Sequence, residues 1–212
     1  MFQDYVLKIL LTGPPILLAL TVHECAHAWT AYKLGDPTAK MLGRVTLNPL
    51  KHLDPLGTIA LFFSGLFGWA KPVPINPRYF KNISRDMMWV ALAGPLSNLF
   101  LAGLSALAHK IFLMGGFDFL GYIPGAYRPL SIMVEVSIVM NISLAVFNMV
   151  PVPPLDGSKV LSNLLPVRSA LSFSRLEPYG FMILILLIMS GFLDRFVSPL
   201  VYFMVGLLTG GI

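Results

Sequence analysis

The sequence predicts an all-α multi-pass membrane protein with about four to six transmembrane helices and one small re-entrant or β-hairpin element at about 40–76. Three observations carry that expectation. Of the 212 residues, 56% are apolar and only 12% are charged, about half the charged fraction of an ordinary soluble domain. A soluble fold cannot hide that much apolar surface behind so few charges. The mean hydropathy is +0.77, and the apolar residues fall in runs separated by short polar stretches. The net charge of +5 comes from lysines and arginines that suit anionic lipid headgroups rather than nucleic acid. These features exclude a soluble enzyme, a disordered chain and a nucleic-acid-binding domain. Cys25 is the single cysteine, so no disulfide staples the chain internally.

The elements follow in order. Val6 to Trp29 is too long for a signal-peptide core and lacks a small-residue cleavage site, so no cleavable signal is expected. Gly13-Pro14-Pro15 predicts a kink there, or a helix that starts only after it. A polar stretch from Lys33 to Asp54 precedes a short apolar run, Leu56 to Ala70, and a second basic stretch with Lys71, Arg78, Lys81 and Arg85. Met87 to Leu113 and Pro129 to Val150 are long enough to span, joined by a Gly/Pro/aromatic loop. Pro151 to Gly157 reads as a loop, followed by a polar stretch to Glu177. Two short apolar runs, about 179–192 and 197–209, close the chain on either side of Asp194-Arg195, and read as two helices, a re-entrant hairpin or one broken helix. No internal repeat or soluble domain is visible, so residues 1–212 read as a single membrane domain.

The first span contains His23-Glu24-Cys25-Ala26-His27, an H-E-x-x-H pattern. On a helix the two histidines lie one turn apart on the same face, where both imidazoles can reach one metal ion. Glu24 sits about 100° round the helix, beside them without displacing them. Zn²⁺ lowers the pKa of a bound water toward ~7, and a neighbouring carboxylate can then relay its proton. An acid at membrane depth costs about 2.5–3.5 kcal/mol on insertion scales, which argues against chance recurrence of the pattern. A catalytic zinc takes three protein ligands and an open position. Beyond this pair the chain has only His52 and His109, which points to a carboxylate as the third ligand. The outstanding candidate is Asp156, in a proline-rich segment that cannot be regular helix.

These motifs resemble the site-2 protease family of intramembrane zinc metalloproteases, peptidase family M50. The resemblance rests on His23-Glu24-x-x-His27, on Gly94-Pro95-Leu96-Ser97-Asn98, and on Asn148-x-x-Pro151-x-Pro-x-Leu155-Asp156-Gly157, in that order over residues 15 to 165. The chain is similar to the minimal branch that lacks a PDZ or CBS domain. The resemblance implies one Zn²⁺ held by His23, His27 and Asp156, with Glu24 as general base and Asn148 near the scissile carbonyl. It implies single-span membrane proteins as substrates, cleaved within or beside the bilayer, and a helix packed beside the zinc helix with Asn98 as a candidate substrate-binding residue lining the site, packing alone being its other reading. A non-catalytic membrane zinc-binding or zinc-transport protein is the alternative class. It would need the three ligands but not Glu24.

Charge then selects a topology. If every apolar run spans, Asp156 lies on the face opposite His27 and the two halves of the site cannot meet. Fifteen helical residues, Leu56–Ala70, reach only ~22 Å against a ~30 Å hydrocarbon core, so this run is expected to be re-entrant. Then 11 of the 15 basic residues share the side of His27 and Asp156, which the positive-inside rule makes cytoplasmic. Met41 to Leu47 and Pro72 to Asn76 read as extended segments. An exposed edge at Val73 and Ile75 could pair with an unwound substrate. His52 is expected in a loop bonded to Asp54, and Glu135 in an ion pair with His109 or Lys110.

Overall fold

In a bilayer, backbone N–H and C=O groups find no water and must bond one another, so apolar runs of this length become helices. A computed structural model describes residues 2–64, 70–123 and 125–210. Its helices are α1 (Phe2–Lys33), α2 (Thr38–Met41), α3 (Pro55–Ser64), α4 (Ile83–Leu113), α5 (Tyr127–Asn148), α6 (Asp156–Leu164), α7 (Val167–Ser174), α8 (Gly180–Met189) and α9 (Phe192–Thr209). Four stretches are long and apolar enough to cross a membrane: Val6–Lys33, Ile83–Leu113, Tyr127–Asn148 and Val167–Met189. The chain is an all-α multi-pass membrane protein.

The centre of the bundle lies where α4 meets α5 and α9. Ala102 and Ala106 on α4, Ile138 and Ile142 on α5, and Val201 on α9 form one buried cluster. Gly94, Asn98, Ala102 and Ala106 repeat every four residues and are all buried, so α4 presents a narrow stripe of small side chains. Such a stripe lets helix backbones approach closely without a lipid-excluding force between them. α1 packs against the same helix, and both α1 and α5 are therefore registered on α4.

Several local expectations are corrected. α1 does not start after Pro14 and Pro15 but is helical from Phe2 through both of them; proline's fixed φ is compatible with helix although its missing N–H leaves carbonyls unpaired. Met41–Leu47 is not a strand. α2 ends at Met41, and Gly43 takes φ +67, a left-handed conformation that breaks any extended run. The helices at the C-terminal end separate at Gly191, with φ +69, and not at Asp194-Arg195. Asp194 instead lies in the first turn of α9, where an acid suits the positive end of the helix dipole.

The β-hairpin alternative at 40–76 reduces, among the described residues, to one antiparallel bridge between Leu53 and Ala70. Beside it Lys71 N–H donates to the His52 carbonyl at 2.8 Å. The bridge ties together the entry and exit of the segment that holds α3, so this segment leaves and returns at one place, as a re-entrant element must. Of the expected run Leu56–Ala70, residues 65–69 lie outside the described residues. In a Cys25→Ser background, single cysteines at Lys51 and Arg78, both exposed, should label from the same face of sealed vesicles with a membrane-impermeant maleimide. Labelling from opposite faces would show that 54–70 crosses.

Candidate metal centre

His23 and His27 lie one turn apart in the last third of α1, and His27 is six residues before the helix ends at Lys33. Both point their Nε2 atoms at one place. The two Nε2 atoms are 3.0 Å apart, and each is 3.1 Å from Asp156 Oδ2. All three side chains are buried. A tetrahedral ion with bonds of about 2.0–2.1 Å separates its donors by about 3.3 Å, so this triangle is nearly the right size for Zn²⁺. Two nitrogens and one carboxylate oxygen are also the donor set of a catalytic zinc site. To serve as a ligand the Asp156 carboxyl must be ionised.

The far side of each imidazole decides which nitrogen carries the proton. His23 Nδ1 lies 2.6 Å from Asn98 Oδ1, and His27 Nδ1 lies 2.6 Å from the Val90 carbonyl. Both partners are acceptors, so Nδ1 is the donor in each ring. The Nε2 lone pairs then face the gap between the three side chains.

Two glycines permit this convergence. A Cβ at Gly94 would land on His27 Nε2 and on His23 Nε2 and Cε1; α4 therefore touches the donor atoms where it crosses α1. A Cβ at Gly157 would land on the Met149 and Val150 carbonyls, so only glycine lets the start of α6 fold back onto the end of α5. Between those helices, Asn148 to Asp156 carries Pro151, Pro153 and Pro154, which forbid continuous helix. The helix breaks where the prolines predict, with α5 stopping at Asn148, but Asp156 and Gly157, expected in the loop, already open α6.

A cavity of about 800 Å³ opens on the donor triangle, with Glu24, Asn148, Val73, Ile75 and Asp156 on its wall. Glu24 is half-buried. One amide proton of Asn148 is used by the Leu144 carbonyl at 2.9 Å, leaving the second. Ala70 to Asn76, which is not helical, contributes Ala70, Pro72, Val73 and Ile75 to this wall and is held at both ends. Buried Arg44 donates to the carbonyls of Lys71 at 2.5 Å and Pro72 at 3.2 Å. Fully buried Asp36 accepts from Asn76 N–H at 2.7 Å. Val73 and Ile75, between these anchors, make no backbone hydrogen bond among the described residues.

Other expectations land elsewhere. Asn98 does not face the cavity; it is fully buried behind His23. His52 is buried, and its Nε2 donates to the Thr46 carbonyl at 2.8 Å rather than to Asp54, whose Oδ1 accepts from Gly57 N–H at 2.9 Å. Glu135 Oε1 lies 3.9 Å from Nδ1 of His109, one of its two expected neighbours, and accepts from Ser131 Oγ at 3.2 Å. Sequence reasoning missed Asn141, Arg44 and Asp36. Asn141 carried a signal, as a second amide in an apolar span; the other two look like ordinary loop charges.

Comparison with known proteins agrees with this chemistry. The model for peptidase family M50 matches residues 125–191. The chain is 40% identical over 186 residues to "Putative zinc metalloprotease YwhC" of Bacillus subtilis, covering 87% of this chain and 79% of that protein. It is 30% identical over 199 residues to "Putative zinc metalloprotease Rip2" of Mycolicibacterium smegmatis, covering 88% and 69%. The protein of that name in Mycobacterium tuberculosis H37Rv is 26% identical over 200 residues. No solved structure matches the chain. Similarity of that extent to YwhC, together with two histidines and an aspartate converging inside a helical membrane bundle, places the chain among the zinc metalloproteases of peptidase family M50.

Proposed function

We propose that the protein is a zinc-dependent intramembrane endopeptidase of the site-2 protease type, which hydrolyses peptide bonds of single-span membrane proteins within or beside the bilayer. Regulated intramembrane proteolysis is the process such an activity serves. The observation that carries this reading is the donor triangle of 3.0–3.1 Å edges opening on a cavity that also holds an acid. His23, His27 and Asp156 would hold Zn²⁺, which supplies Lewis acidity to a water and to a peptide carbonyl. Glu24, on the cavity wall one residue from His23, takes the proton of the attacking water and returns it to the departing amide nitrogen. Asn148 has one amide proton free to stabilise charge on the carbonyl oxygen.

The clamped segment 70–76 is the substrate-facing edge in this reading. Val73 and Ile75 offer unpaired N–H and C=O groups to an unwound stretch of substrate. A helical substrate hides its scissile carbonyl in its own hydrogen bonds, so it must lose helix first. Helix-breaking residues near the cleavage position should speed its hydrolysis. With 11 of 15 basic residues on the His27 side of the re-entrant topology, the site opens toward the cytoplasmic face of the cell membrane.

Glu24→Gln, reconstituted with a single-span substrate, should retain zinc and lose about 10²–10⁴-fold in cleavage rate, the range for a lost general base. Asp156→Ala should lose zinc as well as activity. Cleavage unchanged in Glu24→Gln would favour a metal-binding or transport role, and zinc unchanged in Asp156→Ala would assign the third ligand elsewhere. Gly94→Ala is a separate probe of the geometry. Its methyl would occupy the space of the two Nε2 atoms, so the variant should fold yet purify with far less zinc than the parent. Parent-like zinc content there would mean that α4 does not press on the donors.

A further inference from the structure

Behind His23, away from the cavity, runs a line of buried polar side chains that the proposed chemistry does not use. Asn98 Nδ2 donates to the Ala19 carbonyl at 3.1 Å and to Asn141 Oδ1 at 2.8 Å. Asn141 Nδ2 donates to the Ser137 carbonyl at 2.8 Å and to Ser137 Oγ at 3.2 Å. Ser137 Oγ in turn lies 2.9 Å from Ser105 Oγ, whose proton is taken by the Leu101 carbonyl at 2.9 Å. Asn98 and Asn141 are fully buried, and neither lines the cavity. Neither can touch a substrate.

The order of donors in this chain is forced. Ser137's carbonyl can only accept, so it turns the amide group of Asn141 inward and leaves Asn141 Oδ1 facing Asn98. That oxygen and the Ala19 carbonyl claim both amide protons of Asn98. Asn98 therefore has nothing but Oδ1 to offer His23, and His23 must answer with Nδ1–H. A flipped Asn141 would set Oδ1 against the Ser137 carbonyl and Nδ2 against Asn98 Nδ2, two repulsive contacts in place of two bonds.

We propose that Asn141 is a positioning residue for the metal centre. Through Asn98 it fixes the ring and tautomer of His23, so that the Nε2 lone pair stands ready for zinc. This rests on the reading of His23 as a zinc ligand. Outer partners of metal-bound histidines typically change affinity by about 10–100-fold when removed. Asn141 acts one bond further out and belongs at the lower end of that range.

The test is zinc affinity of the full chain in detergent, measured by competition with a chromophoric chelator. Asn141→Leu, and Asn141→Ala in case the larger side chain does not fold, should weaken zinc about tenfold. Asn141→Asp should stay within about threefold of the parent, because a buried carboxyl is held neutral and can both accept from Asn98 and donate to Ser137. Ile142→Ala, at the fully buried neighbour on α5, should leave affinity unchanged although it loosens the same helix contact. Parent-like affinity in the Leu and Ala variants, or an equal loss in Ile142→Ala, would overturn the proposal and leave these amides as helix-packing groups. A parent chain that binds no zinc, or an Asp156→Ala chain that binds it as tightly, would instead remove the metal-site reading, and this inference with it.

Discussion

Everything in the bundle answers to one electrostatic demand: two imidazole lone pairs and a carboxylate oxygen are held within 3.1 Å of one another. Groups of that kind repel unless a cation lies among them, and at membrane depth water does little to screen the repulsion. A helical bundle relaxes such a cluster simply by rotating a side chain. Here rotation is blocked on every side. The Nδ1 atoms are tied to Asn98 and Val90, α4 presses on the rings at Gly94, and Gly157 brings Asp156 up against them.

The same demand explains where the chain abandons regular structure. An aspartate on the continuation of α5 would be carried away along the helix axis, at about 1.5 Å per residue. The prolines between Asn148 and Asp156 end α5 and let a new helix start at the ligand. Irregular backbone is tolerated at membrane depth only when it is buried in protein or borders a cavity, and this segment borders the cavity beside the donor triangle. The stretch 70–76, also on the cavity wall, is tied down by Arg44 and Asp36. Among the described residues, Val73 and Ile75 in its middle make no backbone hydrogen bond.

Much of this was legible in the residues. Helix class and approximate spans followed from apolar runs, because a bilayer leaves few alternatives. The turn-spaced His23 and His27 and the proline-flanked Asp156 were readable because their spacing is chemical as well as structural. The return of the chain between Leu53 and Ala70 was deducible from the length of the apolar run and the placement of basic residues. What escaped was lateral. Asn98 was read as facing the site and faces the back of His23, since a one-dimensional stripe says which residues share a face but not which neighbour that face meets. Asn141 lies 43 residues from Asn98 in sequence, and no local pattern couples them. Asp36 and Arg44 resemble solvated loop charges, yet both are buried and bond the backbone of 71–76. Pro14 and Pro15 misled in the opposite direction: they read as a late start, yet their fixed φ is compatible with the helix that already runs from Phe2.

The proposed centre has three protein donors, none of them sulfur, and one open position for the chemistry. Zinc K-edge X-ray absorption on the purified chain tests that most directly. Two imidazoles and one or two oxygen donors at about 2.0–2.1 Å, with no sulfur, is the spectrum these residues should produce. A sulfur scatterer at about 2.3 Å, which only Cys25 or a methionine of this chain could supply, or a shell with fewer than two imidazoles, would contradict the assignment of His23, His27 and Asp156.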